Sequence, residues 1–243
     1  MLGGGGGGDA LASAAGVATK ALVPLGGKPL GAYVLAALQK SLCVGHFTYV
    51  GTCAGLEPHL GVCDVCVPAG TSLSHSLALG LGSALAQKPT RLLVLSADIP
   101  WVTPQALDRF VTDAPAADLV YPVIPQKVAE ARFPGQKRTY AAVREGRFTG
   151  GNMTLLTPDA VGALLGFMDR LYEGRKNPLT LASIFGLNTA FRLLAGRVTI
   201  PELETRATKL LGVSARAYIS PDASLGADVD KQEHLRAAVA DLG

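Results

Sequence analysis

Long apolar runs and a surplus of one charge are both missing from this 243-residue sequence. No stretch of about 18 apolar residues, the length a helix needs to cross a bilayer, is present, so no membrane partner is expected. Met1-Leu2 followed by six glycines has neither a basic region nor an apolar core. No secretory signal is read there, and a cytoplasmic location is expected. Lys and Arg number 22 against 19 Asp and Glu, a formal charge of +3 without a basic stripe, and aromatic residues make up 6%. Nucleic-acid binders need clustered cations and stacking surfaces, so no nucleic-acid partner is expected. Small anionic substrates fit better.

Cysteines are also few. Cys43, Cys53, Cys63 and Cys66 do not make a disulfide scaffold in a chain of this length, and they read as packing thiols kept reduced. Cys63-Asp64-Val65-Cys66 has the spacing of half a zinc site, which Cys53, His46 or His59 could complete in principle. A second close pair of ligands at metal spacing is missing, and the packing reading is the stronger one.

What is present is enough apolar residue, 49% of the chain, to bury one full core. A single domain over residues 1–243 is expected, with a mainly helical segment at about 159–212. Helical spacing of Leu30, Tyr33, Val34, Ala37 and Leu38 predicts a helix over Pro29–Lys40. Strands are read near His46–Val50 and Val62–Pro68, and a helix over Ser72–Ala86. Arg91 to Ala97 is apolar almost throughout, as a strand covered on both faces should be. Thr103-Pro104 supplies an N-cap and a first-turn proline for the next helix. Further strands are read at Leu119–Ile124, Arg138–Val143, Asn152–Leu156 and Ala215–Ser220, with a terminal helix from about Lys231. Such alternation implies an α/β fold, Rossmann-like, in three α/β/α layers around a mostly parallel sheet with a helical C-terminal portion. Ligands of such sheets bind beyond the carboxyl ends of the strands. Asp98, just after the strongest strand, is therefore a candidate ligand for a metal ion.

Gly3 to Gly8 can be read as a loose tail or as a loop whose amides approach a phosphate. It has neither the Gly-Lys-Ser/Thr ending of a Walker loop nor the strand and acidic residue of a dinucleotide fingerprint. Lys20 follows twelve residues beyond Gly8, in Lys20-Ala21-Leu22-Val23-Pro24-Leu25-Gly26-Gly27-Lys28-Pro29-Leu30. With this segment, and with Asp98-Ile99-Pro100 after a strand, the sequence resembles the MobA-like nucleotidyltransferases, including the sugar-phosphate and molybdenum-cofactor enzymes with a GT-A-like fold. Gly70 to Leu77, Arg147 to Asn152 and Gly226-Ala227-Asp228-Val229-Asp230 are similar to further segments of that family.

The resemblance implies an enzyme that transfers a nucleoside monophosphate from an NTP to a small phosphorylated acceptor and releases pyrophosphate. It implies Mg²⁺ as cofactor, held by Asp98 and by Asp230, with Asp228 as the weaker choice. Lys20 and Asp98 would be catalytic. Gly3, Gly4, Gly5 and Gly6 would wrap the triphosphate, Lys20 would contact it, and Ser72 and Ser74 would lie against the nucleotide, with an N-cap of the following helix the equally open reading of these serines. Arg138, Gly150, Gly151 and Asn152 would form the acceptor side, with Arg132, Lys137 and Tyr140 beside Arg138. His75 is read as a neighbour rather than a base, and the protein is expected as a monomer or homodimer. Two departures stand out: Gly8-Asp9-Ala10-Leu11 offers no arginine, and only Met1 and Leu2 precede the glycines where the family has a strand. A noncatalytic nucleotide-binding protein and a GT-A-like glycosyltransferase stay open beside the transferase. The glycosyltransferase motif at a strand end is normally Asp-x-Asp.

Overall fold

The computed structural model describes residues 1–4, 9–61, 65–174 and 196–243. Helix α1 (Ala10–Ala14) precedes a short hairpin of β1 (Pro24–Leu25) and β2 (Lys28–Pro29), which leads straight into α2 (Leu30–Lys40). Then come β3 (Thr48–Val50), β4 (Val65–Val67), α3 (Leu73–Leu85), β5 (Leu92–Leu95), α4 (Pro104–Asp113), β6 (Leu119–Pro125) and α5 (Gln126–Arg132). The second half contains β7 (Ala141–Val143), β8 (Gly146–Gly150), β9 (Met153–Leu156), α6 (Val161–Gly174), α7 (Ile200–Leu211), β10 (Ala215–Ile219) and α8 (Gln232–Leu242). Part of the helical segment expected at 159–212 lies outside the described residues.

The expected gap at the first strand is filled by the first three residues. The Leu2 amide donates to Leu95 O and Ala97 N donates to Leu2 O, both at 2.8 Å. On the other edge Val50 N donates to Met1 O at 2.9 Å and Gly3 N to Val50 O at 2.8 Å. Leu2 thus bridges β3 and β5 in the parallel sense. Three residues suffice because only their backbone groups are needed to complete the two flanking edges.

The sheet is mixed, which corrects the expectation of a mostly parallel one. β3 pairs with β4 and β6 with β10 in parallel, but β9 runs antiparallel to both β5 and β6, and β8 antiparallel to β6 and β7. Periodicity does not reveal this, because a strand buried on both faces looks the same whichever way its neighbour runs.

Strand alternation sends side chains to two faces. Leu93, Leu95 and Leu155 join Val34, Leu35, Leu107 and Phe110 on the face covered by α2 and α4. Leu92, Val94 and Leu156 join Leu77, Leu81, Leu164 and Leu165 on the face covered by α3 and α6. Helices therefore cover both faces, and the loops at the carboxyl ends are left to build a site. A cavity of about 280 Å³ lies at the opposite end, lined by the starts of β3 and β5 with Met1 and Leu2.

Cys53 and Cys66 are joined in a disulfide, a correction to their reading as thiols. Cys66 lies in β4 opposite Tyr49 of β3, and the turn after β3 brings Cys53 back with its Cα 6.8 Å from that of Cys66. The sulfur of Cys66 is thereby engaged and cannot serve half a zinc site. Cys63 lies outside the described residues, and Cys43 is free and exposed. Among the described residues no helix is long and apolar enough to cross a membrane.

Candidate functional site

Four chain segments converge beyond the carboxyl ends of the first strand and β5. Asp98 follows β5 by three residues and is oriented by the Ser96 hydroxyl, which donates to its Oδ1. The C-terminal loop crosses in front of it, because Val229 N donates to Asp98 O at 2.9 Å while the Val229 side chain is fully buried. With Val229 turned inward, its neighbours Asp228 and Asp230 turn to the same side as Asp98. One carboxylate oxygen from each of Asp98, Asp228 and Asp230 lies within 4.8 Å of the others.

Lys20, in a short 3₁₀ turn, brings the cation. Its Nζ is 3.1 Å from Asp98 Oδ2, also donates to Asp230 Oδ1, and lies 3.5 Å from Asp9 Oδ2. Asp9 does double duty, since its Oδ1 caps α1 by accepting from Leu11 N and Ala12 N at 2.9 Å. A second cation sits on the far side of the carboxylates. Arg138, with a side chain only 9% exposed, has its Nη2 3.8 Å from Asp228 Oδ1. It also donates through Nη1 to Gly226 O and through Nε to Gln136 Oε1 at 3.0 Å.

Crowded carboxylates repel one another, so a proton or a cation must be shared among them. Burial, then the hydrogen bond and charge of Asp230, then the charge of Asp98 push the Asp228 carboxyl up to about 6. Burial works against ionised Asp230 too, but hydrogen bonds from Asp228 and Lys20 hold its carboxyl below the usual range. Burial likewise opposes the charge on Lys20. The hydrogen bond to Asp230 and the charge of Asp98 outweigh it, so its ammonium is held more tightly than an ordinary lysine's. The donor set consists of three hard carboxylate oxygens facing one point, the chemistry a magnesium ion prefers, and a positive charge already rests against them.

Residues 4–179 match the MobA-like NTP transferase domain. The chain belongs to the MobA-like NTP transferase family. A hypothetical transferase from Thermus thermophilus is 41% identical, with a TM-score of 0.84 over 95% of this chain and 96% of that one. A 2-C-methyl-D-erythritol 4-phosphate cytidylyltransferase, also from Thermus thermophilus, shares the fold, at 18% identity, TM-score 0.52, and coverage of 91% and 92%. So does a CMP:2-keto-3-deoxy-manno-octonic acid synthetase complexed with CTP, at 14% identity, TM-score 0.59, and coverage of 93% and 92%. No curated protein matches the sequence.

Within this MobA-like chain the expected site residues separate into groups. Lys20, Asp98 and Asp230 meet, and Asp228 joins them on equal terms. Gly3 belongs to the strand and packs on Tyr49, Gly4 follows it with φ +77°, and Gly5 and Gly6 lie outside the described residues. Ser72 caps α3 by accepting from His75 N at 3.1 Å, and its hydroxyl lies 3.1 Å from that of Ser74. Neither serine contacts the Lys20 cluster among the described residues. Replacing Ser72 with alanine is expected to cost about 1 kcal/mol, seen as a lower urea midpoint. His75 is exposed, and its Nδ1 accepts from Thr71 N at 3.2 Å.

Gly150, Gly151 and Asn152 link β8 and β9, and they brace the C-terminal loop. Asn152 N donates to Leu225 O at 2.8 Å, and a Cβ on Gly226 would come within 2.9 Å of Gly150 O. Arg138 points into this same loop rather than outward. Arg132 is engaged as well, 3.2 Å from Asp241 and stacked 4.7 Å over Phe133. The basic patch read from the sequence is therefore partly consumed by the fold. Asp9, Ser96 and the inward turn of Arg138 escaped the sequence reading. Only the Asp9 cap had a signal, an aspartate just before an apolar helical stretch.

Proposed function

We propose that this protein is a Mg²⁺-dependent nucleotidyltransferase that moves a nucleoside monophosphate from an NTP to a small phosphorylated acceptor. The observation that carries the reading is the meeting of Lys20 with Asp98, Asp228 and Asp230 at the carboxyl end of the strands. A phosphate oxygen of the acceptor attacks the α-phosphorus, and the bond to the departing pyrophosphate breaks, with no covalent enzyme intermediate. Asp98 and Asp230, aided by Asp228, would hold Mg²⁺, which supplies charge neutralisation at the phosphates when bound. Lys20 donates to phosphate oxygens and balances charge as it shifts to the leaving group. The amides of Gly4 to Gly6 hold the triphosphate, following Gly3, whose own N–H is engaged by Val50 O. Ser72 and Ser74 flank the nucleoside, and Arg138 with Gly150 to Asn152 shapes the acceptor side. The protein works in the cytoplasm as a monomer or homodimer.

The test is pyrophosphate release with each of the four NTPs and a panel of phosphorylated acceptors, alongside Mg²⁺-dependent thermal shift. Turnover with one NTP and one acceptor is expected. Nucleotide binding without turnover by any pair would instead favour a noncatalytic nucleotide-binding protein.

The proton on Asp228 sets a pH dependence. A carboxyl whose pKa is pushed up to about 6 must lose its proton to ligate a cation. Mg²⁺ affinity measured by calorimetry is therefore expected to be level above neutral pH. It should fall toward tenfold per unit once the pH drops below about 6.

A further inference from the structure

In this structure the Lys20 ammonium rests on two of the three carboxylates that the proposed metal ion would need. Among the described residues its partners are Asp98 Oδ2 at 3.1 Å, Asp230 Oδ1 and, at 3.5 Å, Asp9 Oδ2, all of them carboxylates. Asp98 and Asp230 are two of the three residues whose oxygens converge within 4.8 Å. Mg²⁺ draws its oxygen ligands in to about 2.0–2.1 Å and tolerates little distortion. An ammonium bound to those carboxylates would stand a few ångströms from a doubly charged ion, and like charges at that distance repel strongly in a partly buried site.

Arg138 is placed differently. It lies against Asp228 from the other side, and its guanidinium is also bonded to Gly226 O and Gln136 Oε1. It can stay when a cation arrives. Among the described residues Lys20 has only Asp9, at 3.5 Å, beyond the Asp98 and Asp230 carboxylates, and it hangs from a three-residue turn on a flexible stem.

We infer that Lys20 is a built-in stand-in for the metal ion, neutralising the carboxylates until a nucleotide offers it a different anion. In the free protein the ammonium competes with Mg²⁺ for Asp98 and Asp230. When a triphosphate enters, Lys20 moves to its phosphate oxygens and frees Asp98 and Asp230, which would then hold the metal ion together with Asp228. Metal and nucleotide therefore bind with positive coupling, each raising the affinity for the other by the same factor. This rests on the nucleotidyltransferase reading for the identity of the two ligands.

Calorimetric titration of Mg²⁺ into the nucleotide-free protein tests it without reference to turnover. Lys20→Met is expected to bind Mg²⁺ at least tenfold more tightly than wild type, because the competing charge is gone. Lys20→Gln keeps a hydrogen-bond donor for the carboxylates but no charge, so it gives the same gain if the methionine variant folds poorly. Lys20→Arg keeps the charge and should stay near wild type. Adding Asp98→Asn to the Lys20→Met background should abolish the gain. Equal Mg²⁺ affinity of wild type, Lys20→Met and Lys20→Gln overturns the stand-in role. If Asp98→Asn still weakens that affinity, the metal reading survives. If no variant binds Mg²⁺ with or without a nonhydrolysable NTP analogue, the metal reading fails and the inference with it.

Discussion

Asp98→Asn is expected to lower kcat/KM for the transfer reaction by roughly 10³-fold or more while leaving the protein folded. The substitution keeps the shape of the side chain and an oxygen to accept from the Ser96 hydroxyl. The main-chain bond from Val229 N to Asp98 O, which fixes the C-terminal loop, does not involve the carboxylate at all. What disappears is one negative charge from the group that faces Lys20, Asp228 and Asp230. A metal ligand that stabilises charge in the transition state is worth several kcal/mol, and about 4 kcal/mol corresponds to three powers of ten in rate. Asp230→Asn should follow the same direction with a smaller loss, because its side chain is about half exposed at 52% and water can substitute in part. Pyrophosphate release by the purified variants is the measurement. An Asp98→Asn enzyme within tenfold of wild type would remove Asp98 from the catalytic centre.

Gly3→Ala is expected to produce the largest loss of stability per atom added. Gly3 closes the three-residue first strand, and a methyl group there would come within 2.6 Å of Tyr49 Cε2 and closer still to the phenol oxygen. Tyr49 cannot swing away, since its side chain is fully buried between β3 and the helices over that face. Either the ring shifts or the backbone bonds from Gly3 N to Val50 O and from Ala97 N to Leu2 O lengthen. Overpacking of this kind costs about 3 kcal/mol. In a chain of this size that lowers Tm by roughly 6–12 °C. Differential scanning calorimetry reads it directly. Shortening Tyr49 to leucine in the Gly3→Ala background should recover part of the loss, and additive effects would show that the two residues do not meet. The consequence reaches function, because Gly3 leads into the glycine loop that is proposed to hold the triphosphate.

Much of the site could be read from the chain, but for unequal reasons. Asp98 was legible because a run of apolar residues ends at it, and open α/β sheets present ligand-binding residues at strand ends. Lys20 and Asp230 carry no such local signal. They became candidates through the resemblance of their segments to a family, and the fold brings Lys20 to Asp98 and to Asp230 across 78 and 210 positions of sequence. Arg138 stood in the densest basic stretch and read as a surface cation for an acceptor phosphate. In the fold it turns inward to brace Gly226 and Asp228, and no local pattern distinguishes an outward from an inward arginine. The family resemblance favours Asp230 over Asp228, yet Val229 between them is the residue that is buried, which aims both aspartates the same way.

Helix positions, the N-caps at Ser72 and Thr103 and the two-faced apolar strand β5 were determined by the sequence itself, since each follows from local spacing and local hydrogen-bond chemistry. Only the tertiary structure decided that Met1 to Gly3 form a central strand, that β9 runs against its neighbours, and that Cys53 reaches Cys66. These depend on partners far along the chain. A backbone edge accepts any residue whose N–H and C=O it can pair, so the sequence of that residue carries little trace of the pairing.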